Sequence, residues 1–162
     1  MDINLTDFIN NNKITKKGTK IVVAMSGGVD SSVTAALLNF AGYQVIGVSM
    51  KLYEASKKNN SKTCWSGIDI RDARSVAKKI GIKHFIIDYK SKFKESVIDD
   101  FVESYNNGFT PIPCIKCNQT VKFTDLIDFT KSIGSKYLAT GHYVKRIEKN
   151  DNVFLYQADD SQ

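Results

Sequence analysis

The chain alternates short apolar runs with segments in which apolar residues recur every three or four positions. Residues 21–25 are Ile-Val-Val-Ala-Met, and an unbroken apolar run of this length is typical of a strand buried on both faces. The same pattern predicts further strands over residues 44–52, 84–88 and 136–140. Two shorter extended pieces, residues 144–148 and 153–157, are predicted on either side of a turn at 150–152.

Helical periodicity lies between the predicted strands. Residues 33–38 supply the apolar face of a first helix, and residues 69–80 and 93–105 form the next two. Repeated strand–helix units predict an α/β fold, with a parallel sheet and helices on both of its faces. In such a fold a ligand binds where the strands have their carboxyl ends.

The segment Thr110-Pro111-Ile112-Pro113 is predicted to be a loop, because each proline restricts the backbone of the residue before it. This loop is expected to deliver Cys114 and Cys117, with a fourth helix beginning just after Cys117. Such a helix N-terminus would favour the thiolate form of Cys117.

The composition is that of one globular domain, predicted over residues 20–162 after a loose polar leader at 1–19. Neither a membrane-spanning segment nor a secretory signal is recognisable, so no membrane partner is expected. Three cysteines, an odd number, argue against a disulfide framework and favour the reducing cytoplasm. The net charge of +6 is compatible with a polyanionic partner, but equally with a lysine-rich solvated surface.

A glycine-containing loop between the first strand and the first helix is the strongest candidate for a binding site. Its residues are Ser26-Gly27-Gly28-Val29-Asp30-Ser31-Ser32. Backbone N–H groups and the helix dipole converge there, which makes an anion site, and Asp30 is a candidate ligand for Mg²⁺. No lysine follows the glycines, which excludes the Walker-type loop. The alternative is an ordinary Gly-Ser turn capped by Asp or Ser.

This loop resembles the pyrophosphate-binding loop of the ATP pyrophosphatases, which split ATP between the α and β phosphates and transfer AMP to a substrate oxygen. Three further segments narrow the resemblance. They are Thr110–Asn118 followed by Val121-Lys122-Phe123, then Leu138-Ala139-Thr140-Gly141-His142-Tyr143, and Val48-Ser49-Met50. From Lys20 to about Gln162, the chain resembles the N-terminal ATP-pyrophosphatase domain, of HUP or Rossmann-like fold, of the bacterial tRNA-specific 2-thiouridylases.

The resemblance implies ATP-dependent 2-thiolation of the wobble uridine of tRNA, with ATP and Mg²⁺ as cofactors and a persulfide sulfur-donor protein as partner. It implies that ATP is bound by Ala24, Met25, Ser26, Gly27, Gly28, Val29, Asp30, Ser31, Met50 and Gly141. The implied contacts to the target uridine are Ile112, Pro113 and Cys114, and the implied nucleophile is Cys117.

Cys114 departs from the family, in which this position is commonly Asp. The resulting Cys114-x-x-Cys117 pair leaves three interpretations open: a metal site, a redox pair that forms a disulfide bond, or simple tolerance of cysteine in a loop. The family also has a second, persulfide-bearing cysteine, a central domain and a C-terminal β-barrel. The chain is therefore expected to be the catalytic domain alone, unable to complete thiolation by itself. The alternatives are another ATP pyrophosphatase, or a nucleotide-binding module without turnover.

Overall fold

A computed structural model describes residues 18–52, 67–150 and 152–157. Most of the leader predicted over residues 1–19 lies outside the described residues, as does Cys64. The described residues form an α/β fold with a four-stranded parallel sheet and, near the end of the chain, a separate two-stranded one.

The four-stranded sheet has the order β3-β2-β1-β4, and all its neighbouring strands are parallel. Its strands are β1 (Lys20–Ala24), β2 (Gln44–Lys51), β3 (Lys83–Asp88) and β4 (Tyr137–Ala139). Val22 of β1 lies between Ile46 and Leu138 in the register. Because β1 is central, Ile21, Val22 and Val23 have no exposed surface, which explains the unbroken apolar run.

Helices cover both faces of this sheet. On one face lie α1 (Val29–Phe40) and α2 (Gly67–Ile80). On the other lie α3 (Lys90–Phe93), α5 (Pro113–Cys117) and α6 (Leu126–Ser132), with π-helical segments at Lys94–Ile98 and Asn118–Asp125. The remaining helix, α4 (Asp99–Asn106), follows the first π-helical segment and contains no buried residue. The chain steps from β1 to β3 in one direction and then crosses back to β4. Right-handed crossovers place the two sets of helices on opposite faces for that reason.

Alternate residues of the strands divide the core into two clusters. Ile21 and Val23 point toward α1 and α2, whereas Val22 and Ala24 point toward α3, α5 and α6. The predicted fold class and the four predicted strands are confirmed, with strand ends that differ by at most one residue.

The second sheet is an antiparallel hairpin of β5 (Val144–Lys149) and β6 (Asn152–Gln157). The two extended pieces expected there are thus confirmed. Asn150 in the turn has φ of 51°, a left-handed conformation that asparagine tolerates better than most residues. In the described parts of the chain, no helix has the length and apolarity needed to cross a bilayer.

The expected loop before Cys114 and Cys117 ends earlier than predicted. The helix begins at Pro113. Proline is well tolerated at the first helical position, because the N–H that it lacks would have no acceptor within the helix. Cys114 and Cys117 therefore lie within a helical segment that continues through Asn118–Asp125. The prediction of a helix N-terminus just after Cys117 was wrong.

Candidate functional site

The loops that follow β1 and β4 meet at the carboxyl edge of the sheet. This is the switch point of the topology, because the chain leaves β1 toward β2 and returns on the other side at β4. A cavity of about 260 Å³ opens there. It is lined by Ala24, Ser26, Gly28, Asp30, Ser31, Asn118, Lys122, Phe123, Leu126, Thr140, Gly141 and His142.

The N-terminus of α1 forms one wall of this cavity. The hydroxyl of the buried Ser31 organises the loop: its Oγ accepts the Ser26 N–H at 3.2 Å and lies 3.2 Å from the Gly28 carbonyl, to which it donates. The first bond inside the helix runs from the Ser32 N–H to the Gly28 carbonyl. The N–H groups before Ser32 therefore have no acceptor within α1, and a helix start of this kind favours an anion.

The two loop glycines are required for different reasons. Gly27 has φ of 86°, and a Cβ built on it would lie 2.7 Å from the Asp69 Cα at the start of α2. Gly28 has an extended backbone, and a Cβ there would meet only Ser26 Oγ, at 3.6 Å. Glycine is therefore required at position 27 by the backbone conformation and by the contact with α2. At position 28 the fold leaves room for a side chain, which would occupy the cavity.

The loop after β4 packs directly on the start of α1. A Cβ on Gly141 would lie 2.7 Å from the Ser31 nitrogen and 2.9 Å from the Asp30 Cβ, so only glycine permits this approach. Beyond it, the Tyr143 hydroxyl donates to Asp30 Oδ1 at 2.8 Å, and His142 Nδ1 lies 2.8 Å from Thr140 Oγ1. The hydrogen bond from Tyr143 orients the Asp30 carboxylate.

The wall opposite α1 comes from the π-helical segment and the start of α6. Asn118, Lys122 and Leu126 are spaced four residues apart and share one face of this segment. The Phe123 ring lies 6.1 Å from the His142 ring, which joins this wall to the β4 loop. Sequence reasoning assigned no role to this wall, although the spacing of 118, 122 and 126 was a usable signal.

A buried polar contact anchors the chain where it leaves β1. The Ser49 hydroxyl, without exposed surface, donates to the Met25 carbonyl at 2.6 Å and accepts from His84 Nε2 at 3.0 Å. Burial, and secondarily the positive charge of Arg74, lower the pKa of His84. A neutral imidazole protonated at Nε2 fits this geometry, because the buried Nδ1 has no hydrogen-bond partner among the described residues.

The structure brings six of the ten predicted ATP-binding residues to the cavity. They are Ala24, Ser26, Gly28, Asp30, Ser31 and Gly141. The side chains of Met25 and Met50 are fully buried in the two core clusters instead. Gly27 and Val29 line a separate open groove of about 380 Å³ between α1 and α2. Lining the cavity does not test a role in ATP binding, so the roles of all ten residues stay predictions.

None of the residues expected to contact the uridine lines the cavity, and neither does Cys117. Ile112 and Cys114 are exposed, and Pro113 begins α5. Cys117 is 5% exposed and packs in the core with Val121 and Leu126. The expected uridine contacts and nucleophile therefore lie outside the cavity lining, on α5 and the residue before it, directly ahead of the π-helical segment that forms the far wall.

Neither cysteine of the Cys114-x-x-Cys117 pair is in a disulfide, so the expected disulfide bond is not supported. Side chains three residues apart on a helix have Cβ atoms about 5–6 Å apart, against about 3.8 Å in a disulfide. A metal site is not supported either. Across residues 18–52, 67–150 and 152–157, no three His, Cys, Asp or Glu side chains are grouped to hold a metal ion.

The contrast in exposure predicts the order in which the thiols react. In the folded chain, iodoacetamide is expected to alkylate the exposed Cys114 first and the buried Cys117 only slowly. A helix start after Cys117 that stabilised its thiolate would produce the reverse order. Peptide mass spectrometry at successive times measures both rates. Cys114→Ser should leave Cys117 slow, and urea should make the two rates similar. Faster labelling of Cys117 in the folded chain would contradict the described burial.

Known proteins support the fold and extend the sequence resemblance. The tRNA methyl transferase HUP domain family matches residues 19–162. Two relatives named tRNA-specific 2-thiouridylase MnmA, from Ehrlichia ruminantium (strain Gardel) and Zymomonas mobilis, are 50% and 55% identical over 145 and 144 residues. These alignments cover 89% and 88% of this chain but 39% of each relative. The chain thus spans about two-fifths of their length.

A solved structure shares the architecture at low sequence identity. The NH3-dependent NAD synthetase from Campylobacter jejuni superposes with a TM-score of 0.53 at 19% identity, over 81% of this chain and 51% of that one. This likeness concerns the fold alone. Since the family match extends over residues 19–162 and the relatives confirm the resemblance seen in the motifs, the chain belongs to the tRNA methyl transferase HUP domain family.

Proposed function

We propose that this chain binds ATP at the carboxyl edge of its sheet and uses it to adenylate the C2 oxygen of the wobble uridine of tRNA. The observation that carries the proposal is the cavity at the switch point, where the start of α1, Asp30 and Gly141 meet. It has the volume for the phosphates and part of a nucleoside, and its α1 wall favours an anion.

The chemistry explains why ATP is needed. A carbonyl oxygen is a poor leaving group; when the uridine oxygen attacks the α-phosphorus, pyrophosphate departs and the oxygen becomes part of an adenylate. Sulfur can then attack C2, and AMP leaves with the oxygen. The role proposed for the Ser26–Ser32 loop is to hold the departing pyrophosphate through the free N–H groups of α1.

Asp30 fits a ligand for Mg²⁺, because its carboxylate lines the cavity at the helix start and Tyr143 orients one of its oxygens. Proteins commonly hold this ion through one or two carboxylates together with substrate phosphates. When bound, Mg²⁺ would neutralise charge on the phosphates.

The proposed uridine contacts are Ile112, Pro113 and Cys114, and the proposed nucleophile is Cys117. Since Cys117 is buried, its sulfur can reach a base only if α5 shifts or turns when tRNA binds. The partners in the proposal are tRNA, with which the net charge of +6 is compatible, and a protein that donates persulfide sulfur.

Isothermal titration of the 162-residue chain with ATP, with and without Mg²⁺, tests the nucleotide site. We expect binding that Mg²⁺ strengthens. When unmodified tRNA is added, we expect slow release of AMP. When a persulfide donor is also present, we expect mass spectrometry to detect no 2-thiouridine, since the relatives are much longer than this chain. A folded chain that fails to bind ATP at millimolar concentration would refute the nucleotide site, and multiple turnovers of thiolation would refute the expected incompetence of the chain alone.

A further inference from the structure

The phosphate site proposed above lacks a cation in its loop, since no lysine follows Gly27 and Gly28. We propose that Lys122, on the opposite wall of the cavity, supplies the positive charge that holds the phosphate chain of the nucleotide and stabilises the departing pyrophosphate. The proposal rests on nucleotide binding at this site and adds a residue to which neither the motifs nor the comparisons assign a role.

The first support is the placement of Lys122. It lines the same cavity as Ser26, Asp30 and Ser31, and it is the one Lys or Arg among the described residues that do so. An ammonium group on this wall is placed to reach an anion held by the free N–H groups of α1 on the opposite wall. The start of α1 and the Lys122 ammonium group would both give the cavity a positive potential, which attracts a polyphosphate chain.

The second support is the absence of an acidic partner. Neighbouring lysines on the same face of the sheet are paired: Lys92 with Asp125, and Lys116 with Asp100 at 2.8 Å. Lys122 is half-buried, yet within the described ranges no carboxylate lies within 4.0 Å of its ammonium group. Partial burial of a charge is costly without a counter-charge, so a site for an external anion is the simplest explanation.

The third support is the firm anchoring of the segment that carries Lys122. Val121 has no exposed surface, and Leu126 is buried in the same core cluster. Within the π-helical segment, Thr124 Oγ1 donates a hydrogen bond to the Gln119 carbonyl at 2.8 Å. Asp125, nearly buried, is held by Lys92 of α3. The backbone under Lys122 is thus fixed, which limits the cost of ordering its side chain on a ligand.

During the reaction, negative charge grows on the pyrophosphate as its bond to the α-phosphorus breaks. An ammonium group held beside the phosphates offsets that charge more in the transition state than in the ground state, so its loss should slow AMP transfer as well as weaken binding. Lysine suits the task as a compact charge with three donors.

The test compares Lys122→Gln with wild type by isothermal titration against ATP, inorganic pyrophosphate and adenosine. We expect ATP and pyrophosphate affinity to fall by about tenfold or more, the effect of one lost charge-assisted contact, and adenosine affinity to stay unchanged. Lys122→Arg should recover part of the loss, because it keeps the charge. Lys116→Gln is the matched control and should leave ATP affinity unchanged, since Lys116 lies six residues earlier in the same continuous helical segment, outside the cavity lining, and is paired with Asp100.

The outcomes separate the two proposals. If wild type binds ATP and Lys122→Gln, shown to be folded by circular dichroism, binds ATP equally well, the role of Lys122 is refuted while the nucleotide site stands. Equal losses for ATP and adenosine would place Lys122 against the nucleoside and also overturn the proposal. If wild type binds neither ATP nor pyrophosphate, both proposals fail.

Discussion

Gly27→Ala is expected to destabilise the chain by about 3 kcal/mol, the largest stability effect of a single methyl group in the loop. The left-handed backbone at φ of 86° disfavours any side chain, and the added Cβ would collide with the backbone of Asp69 in α2. Backbone atoms cannot rotate away as a flexible side chain can, so either the loop or the start of α2 must move. Urea unfolding followed by circular dichroism measures the change.

Gly28→Ala is the matched control, one residue along the chain. Its backbone is extended and its Cβ would make only an ordinary contact with Ser26 Oγ, so the free energy of unfolding should change by less than about 0.5 kcal/mol. Because Gly28 lines the cavity, the same methyl group should weaken ATP binding by obstructing the phosphates. Equal destabilisation by the two substitutions would contradict the described loop conformation.

Asp30→Ala is expected to weaken ATP binding in the presence of Mg²⁺ on the order of 100-fold, or about 2.8 kcal/mol. Removing the carboxylate removes the one acidic ligand that the described cavity offers to the ion. In EDTA the sign should reverse or the effect vanish, since Asp30 then only repels the phosphates. Titration calorimetry under both conditions measures the difference.

Two further variants make this result specific. Tyr143→Phe removes the hydroxyl that donates to Asp30 Oδ1 and should weaken Mg²⁺-dependent binding roughly tenfold, because the carboxylate loses its orientation. Asp128→Ala changes an exposed acidic residue of α6 outside the cavity and should leave affinity unchanged. If Asp30→Ala and Asp128→Ala bind ATP and Mg²⁺ as wild type does, Asp30 is not the magnesium ligand.

The order of the elements and the class of fold were determined by the sequence alone. The unbroken apolar run of β1 and the helical periodicity after it depend on residues close in the chain, which is where sequence patterns carry information. The position of the Ser26–Ser32 loop at a strand end and helix start followed from the same local signals. They also carried the family resemblance, because its motifs are short and contiguous.

The tertiary structure alone decided what faces that loop. Gly141 touches Ser31 across more than a hundred residues, and Lys122 and Phe123 reach the cavity from a crossover on the other face of the sheet. It also decided that Cys117 is buried, since this depends on how that crossover packs on β1 and β2. Such contacts join residues far apart in sequence, and local periodicity carries no information about them.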